Sequence, residues 1–218
     1  MSEESEYYKL TKKAFDSLAP FYNGVTLPLV RVRDRVVTFT GAGKNSTILD
    51  VATGTGQQAF AYAKRGYDVS ALDITESMLA VARKNNLNEL VKFEAGDATH
   101  LRFEDNTFDV TCISFALHDM PLTIREKVLR EMVRVTKPGG SIMIVDYALP
   151  HNQFGRSLIY HLIALYEGEY YKKFIVSDLE ELARTVGIEI VDACSLLRGA
   201  GRILKGMKLH YHSGNMDL

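Results

Sequence analysis

The sequence predicts a doubly wound α/β fold on a mostly parallel seven-stranded sheet, with the last strand antiparallel. Three observations carry this. From residue 47 to residue 147, short apolar runs of strand length alternate with amphipathic helical stretches, which demands crossover connections with helices on both sheet faces. A glycine turn, Gly54-Thr55-Gly56, joins the first such run to the first helix of the series. Near the end, two strand-like runs are separated by a short link bearing Gly199 and Gly201, which suits an antiparallel hairpin.

Element by element, Glu6 to Leu18 reads as a helix, with Leu10, Ala14, Phe15 and Leu18 at helical spacing, and Pro20 ends it. A second helix spans Pro28 to Phe39 and stops at Gly41-Ala42-Gly43. The first strand is Thr47–Ala52; past the glycine turn comes a helix over Gln57–Arg65, with Gly66 placed as its C-terminal cap. The strand Asp68–Leu72 ends at Asp73, and Thr75 is positioned as N-cap of a helix running to Asn85. Val91–Ala95, Phe108–Phe115 and Ser141–Tyr147 follow as strands; the helix Leu122–Thr136 and the turn Lys137-Pro138-Gly139-Gly140 separate the last two. Beyond Pro150 the regularity breaks, and residues 151–176 are aromatic and apolar without a strand pattern. A helix at Ser177–Val186 and strands at Ile188–Leu196 and Arg202–Leu209 complete the chain. The expected organisation is one domain in four parts: a helical N-terminal extension (1–44), a core (45–150), a lid (151–176) and a C-terminal helix and hairpin (177–218).

Composition narrows the function classes. Hydrophobic residues at 46% and charged residues at 24% describe an ordinary globular chain. With 26 basic against 27 acidic residues, the net charge of −1 disfavours a large phosphate-neutralising surface, so no nucleic-acid partner is expected. Cys112 and Cys194 have no metal or redox spacing, His210 and His212 are too isolated for a metal site, and no metal is expected. The acidic, polar start is not a secretory signal, and no run of eighteen apolar residues is present. The expected location is cytoplasmic, with peripheral membrane contact left open.

The most informative segment is Asp50-Val51-Ala52-Thr53-Gly54-Thr55-Gly56. Glycines at a strand-to-helix turn let backbone approach a ligand, and the helix N-terminus offers free N–H groups. Asp73, ending the next strand, stands where a carboxylate accepts from both hydroxyls of a ribose. Together these features point to a nucleoside-containing cofactor. Gly54 to Ala59 also fits the G-x-G-x-x-A dinucleotide fingerprint, so a nicotinamide oxidoreductase competes. Two acids count against it. Asp50 is poorly placed near a pyrophosphate but useful for a cationic amino-acid moiety, and Asp97 follows the third strand.

Further stretches carry a resemblance: Phe15-Asp16-Ser17-Leu18-Ala19-Pro20-Phe21-Tyr22, Leu72-Asp73-Ile74-Thr75-Glu76-Ser77-Met78-Leu79, Gly96-Asp97-Ala98, Phe103 to Asp109, Ile113 to Leu117, and Arg134 to Gly140. With the Asp50–Gly56 loop they resemble the class I S-adenosylmethionine-dependent methyltransferases, and within them the ubiquinone/menaquinone-biosynthesis C-methyltransferases. The resemblance covers residues 15 to about 147 and implies the Rossmann-like methyltransferase fold, with S-adenosyl-L-methionine as cofactor and S-adenosyl-L-homocysteine as product. It implies that Gly54 and Gly56 let the loop pass under the methionine part and that Asp50 holds the loop and the α-amino group. Asp73 binds the ribose diol, Ile74 and Met78 line the adenine, and Asp97 and the Ala98 N–H bind its polar edge. Ser114 and Phe115 border the sulfonium, and Tyr22 closes over the site. Ala52 stands where the wider class has glycine, Asn23 where relatives often carry aspartate, and the chain after Pro150 matches poorly apart from Gly206-x-Lys208.

Each candidate has a plainer reading. Asp73 and Asp97 also suit caps or turns, Met78 a core position, and Leu158–Tyr166 simple packing rather than a lid over an apolar acceptor. His118, after the fourth strand, is the candidate general base for a phenolic carbon acceptor; otherwise it is a solvent-side loop histidine or a helix cap. Asp146 must be hydrogen-bonded or face the cleft. The expected reaction is in-line methyl transfer to a small or lipid-like acceptor, quinone-type carbon or amine. A non-catalytic binding protein of the same fold remains the third alternative.

Overall fold

The computed structural model describes residues 3–150, 157, 160–161 and 169–209. The strands are β1 (Thr47–Val51), β2 (Asp68–Asp73), β3 (Val91–Ala95), β4 (Phe108–Ser114), β5 (Thr136–Tyr147), β6 (Ile188–Leu196) and β7 (Gly201–Lys208). They form one sheet in the order β3-β2-β1-β4-β5-β7-β6. The first five strands run parallel, and β7 is antiparallel to both β5 and β6. The final strand therefore inserts between β5 and β6, and Leu197–Gly199 makes the tight link of the expected hairpin.

Each central strand is buried on both faces, and the alternation of side chains sorts them into two cores. Ile48, Val110, Cys112, Met143 and Val145 pack with α3 (Val30–Thr40) and α4 (Gln57–Ala63). Leu49, Val51, Ile113, Ile142 and Ile144 pack with α6 (Leu122–Val135) and with the helices Glu169–Ile175 and Leu179–Thr185. Asp178 caps the last of these, accepting from the Glu180 and Glu181 N–H groups. α5 (Glu76–Asn85) carries Met78, Leu79 and Ala82 inward.

Element ends shift as local chemistry requires. α1 is longer than its apolar spacing suggested, Glu3–Leu18, because Glu3, Glu4 and Glu6 suit a first turn facing the positive end of the helix dipole. A short helix α2 (Tyr22–Val25) and a 3-10 turn, Leu27–Leu29, precede α3. β5 starts at Thr136 rather than Ser141 and absorbs the Lys137–Gly140 turn, with a pairing irregularity opposite Phe108 and Val110. The stretch Leu158–Tyr166 lies mostly outside the described residues, and His210 and His212 lie wholly outside them. Among the described residues no helix is long and apolar enough to cross a membrane.

Candidate functional site

The carboxyl ends of β1, β2, β3 and β4 open into one cleft, roofed by the N-terminal helices. This is where an open α/β sheet binds ligands, because the helix N-termini and loop N–H groups converge there. Of the predicted cofactor residues, Tyr22, Asp50, Ala52, Gly54, Asp73, Ile74, Met78, Asp97, Ala98, Ser114 and Phe115 all line it. Gly56 and His118 do not appear among its lining residues.

Asp73 ends β2, 8% exposed. Its Oδ2 accepts from the Gly54 N–H at 2.7 Å and its Oδ1 from the Thr75 N–H at 2.8 Å, so the carboxylate holds the glycine loop and the start of α5 together. Burial pushes its pKa up, opposed by those two N–H groups. The Thr75 hydroxyl and the Ile74 N–H also bond this carboxylate. Asp97 lies across the cleft wall, its Oδ1 accepting from the Thr99 N–H and hydroxyl, both at 2.8 Å. Asp50 is buried beneath the loop, accepts from the Thr53 hydroxyl, and burial raises it to about 7. Arg33, missed by the sequence reading, also lines the cleft, and burial lowers its pKa.

Three residues of the loop, Ala52, Gly54 and Gly56, carry positive φ, and the first and last do so for different reasons. Ala52 has φ +53°, a left-handed conformation that disfavours any Cβ, which accounts physically for glycine at the equivalent place in the wider class. Gly56 is the N-cap of α4 at φ +78°, and a Cβ there would sit 2.6 Å from Phe93 Cζ. Its glycine serves the turn and the packing of α4. In a dinucleotide fingerprint that second glycine admits the pyrophosphate; here a phenyl ring occupies the approach, and the nicotinamide reading gains no support from the geometry. Phe115, at φ +52°, is held in the same strained region at the end of β4.

His118 sits in a 3-10 turn after β4 and is 3% exposed, not the solvent-side histidine of the plainer reading. Its Nδ1 lies 2.7 Å from Asp146 Oδ1, and Asp146, wholly buried, also accepts from the backbone N–H groups of His118 and Tyr147. Its Nε2 lies 3.5 Å from Asp119 Oδ2, and Asp119 does line the cleft. Tyr147, Tyr171 and Phe174 surround the imidazole edge-on.

Residues 49–144 match a family model described as a methyltransferase domain. Over 142 residues the chain is 42% identical to the demethylmenaquinone methyltransferase of Renibacterium salmoninarum, covering 62% of this chain and 58% of that protein. Residues 49–144 thus correspond to a methyltransferase domain. It is also 35% identical over 123 residues to the ubiquinone/menaquinone biosynthesis C-methyltransferase UbiE of Azotobacter vinelandii, covering 53% of this chain and 48% of that protein. The chain thus aligns with less than two thirds of these relatives' length. Among solved structures, the [4+2]-cyclase SpnF shares the fold at TM-score 0.73 and 19% identity, covering 91% of this chain and 95% of that one. A fold so shared says nothing by itself about the reaction.

Some motif residues of the methyltransferase domain are scaffolding. The Arg134 guanidinium donates to the Leu101 and Phe103 carbonyls and to Asp105 and Glu131, tying the end of α6 to the loop before β4. Lys137 bonds Asp109, whose other oxygen accepts from the Thr47 N–H. Asn23, the departure from aspartate, accepts from the Thr55 hydroxyl at 2.6 Å and so still joins the extension to the loop. The sequence reading missed the α1 wall, Tyr7, Tyr8, Thr11 and Phe15, which faces the cleft at helical spacing.

Proposed function

We propose that the cleft holds S-adenosylmethionine and that the chain methylates a ring carbon of a quinone-type acceptor from the cytoplasmic side. The observation that carries this is the pair of carboxylates, Asp73 and Asp97, on one wall of a single cleft whose floor is the Gly54 loop. The donor set fits the cofactor: Asp73 for the ribose hydroxyls, the Asp97–Ala98 turn and Ile74 and Met78 for the adenine, and Asp50 with the loop for the α-amino end. Bound there, the cofactor supplies an activated methyl group on a sulfonium. The names of the relatives above motivate the quinone-type acceptor.

In this reading the labour divides by chain segment. Residues 45–150 grip the cofactor, and residues 3–44 wall the acceptor side. The Tyr22 ring, 3.9 Å from where a Cβ on Gly54 would lie, excludes water above the loop. Excluding water favours transfer, because an anionic nucleophile and a sulfonium neutralise each other's charge. The ring hydroxyl of the acceptor is deprotonated by Asp119 at the cleft wall. His118 acts through Asp119, and Asp146 holds the imidazole in place.

Titration calorimetry with S-adenosylhomocysteine tests the cofactor role of Asp73. Asp73→Ala removes charge-assisted bonds of about 1.5–3 kcal/mol, so affinity falls roughly 10- to 150-fold. Unchanged affinity in a folded variant sinks the assignment. Incubation with a demethylated naphthoquinol then tests the acceptor, by mass spectrometry of the product.

A further inference from the structure

Asp119 has a polar counterpart on the α1 wall of the cleft. The Ser77 hydroxyl donates to Asp16 at 2.6 Å, the Tyr8 and Thr99 hydroxyls meet at 3.3 Å, and Lys127 donates to Glu4 at 2.7 Å. These ties anchor α1 to α5, to the turn after β3 and to α6, so its inner side chains have fixed positions. Among them Tyr7 is 6% exposed, its ring edge-on to Tyr170 and tilted against Tyr8. Phenylalanine would serve that packing as well. The hydroxyl, however, belongs to the cleft: Thr11, which lines it, is its hydrogen-bonding neighbour, and the carboxylates of Asp119 and Asp73 both bear on it. Burial pushes the Tyr7 phenol up, Thr11 opposes this, and the two carboxylates add to it. The group therefore stays a hydrogen-bond donor at neutral pH and does not act as a base. To the same cleft the turn before α6 and α6 itself bring Met120, Ile124 and Val128, all buried and apolar.

We propose that Tyr7 is a specificity-determining contact to the acceptor, its hydroxyl donating to one ring oxygen while Asp119 serves the other. The proposal rests on the quinone-type reading above and deepens it: the acceptor ring must carry two oxygens, as a hydroquinone does and a monophenol or aromatic amine does not. Apolar walls grip the faces of a flat ring but leave it free to turn in its own plane. Two polar groups at separate places on the cleft wall remove that freedom and set which ring carbon meets the methyl group. A donor on the second oxygen also leaves the ionised one unshielded, so its electrons still reach the attacking carbon.

Steady-state methylation by the full chain tests this with two acceptors, a demethylated naphthoquinol and the matching naphthol that keeps only the hydroxyl beside the reacting carbon. Tyr7→Phe lowers kcat/KM for the quinol roughly 2- to 12-fold, the worth of one neutral hydrogen bond, and leaves the naphthol value where it was. Equal loss on both acceptors means a merely structural hydroxyl and overturns the proposal, as does no loss on either. A fall in S-adenosylhomocysteine affinity in the folded variant overturns it too, because the hydroxyl then serves the ribose. The wild type alone gives a second measurement: in equilibrium dialysis with S-adenosylhomocysteine present, the naphthol binds more weakly than the quinol by a similar factor, and equal affinities refute the contact. A wild-type chain that binds S-adenosylhomocysteine but methylates neither ring removes the acceptor reading and this proposal with it. Methylation of the quinol with Tyr7→Phe indifferent removes the proposal alone.

Discussion

Asp50 offers a test of the cofactor-side chemistry that needs no acceptor. Its ordinary value is 3.8 and burial raises it to about 7, so in the ligand-free protein near neutrality it is only about half ionised. An α-ammonium group bound beside it favours the carboxylate. Binding is then linked to loss of the proton, and affinity scales with the ionised fraction. For a value near 7 that fraction is about one half at pH 7 and about one hundredth at pH 5, a ratio of roughly fifty, or about 2 kcal/mol. The ligand's own ammonium stays protonated throughout this window. We expect the affinity for S-adenosylhomocysteine, measured by calorimetry, to rise about fiftyfold from pH 5 to pH 7. About half a proton should be released per binding event at pH 7, read from the dependence of the heat on the buffer. Asp50→Asn should flatten the profile at the weak end. A flat wild-type profile, or a variant with the wild-type slope, would refute the reasoning. Stability carries the opposite sign. The raised value means the folded state keeps a proton the unfolded chain has lost, so stability declines as pH rises from about 4 to about 7.

Two further outcomes follow from the geometry. Gly56→Ala meets Phe93 at 2.6 Å and imposes a Cβ on a left-handed turn, and should cost about 1–3 kcal/mol by denaturant titration, with partial recovery when Phe93→Leu is added; no loss of stability would return Gly56 to a ligand-facing role. In a methylation assay, Asp119→Asn should lower kcat by about a hundredfold or more. Asp146→Asn, which removes the carboxylate that holds the His118 ring, should lower kcat with the acceptor KM little changed. An unchanged kcat in both folded variants would take this group of residues out of the chemistry.

Much of the core was legible because its cues are local. Each strand of the parallel half is an apolar run ended by a turn residue, and the loop from Asp50 to Gly56 joins β1 to α4 within a few residues. Asp73 and Asp97 were readable as neighbours because parallel register aligns the ends of β2 and β3, where Asp73 pairs with Ala95. What stayed hidden depends on long-range docking. Tyr8 meets Thr99 across 91 positions, and Ser77 donates to Asp16 across 61, so no spacing rule assigns α1 to the cleft. His118 looked like a loop residue because Asp146, its partner, lies on a separate strand. Gly56 and Gly54 look identical in sequence, and only the position of Phe93 separates their duties.

The place of β7 has a consequence for biogenesis. Residues 201–208 fill the gap between β5 and β6, so while the ribosome still holds them, the stretch Ser141–Tyr147 of β5 keeps an unzipped border. Such a border recruits strands from other nascent chains. Completion of the sheet therefore waits for residues 188–208 to emerge together, and truncation at residue 200 leaves the β5 edge open.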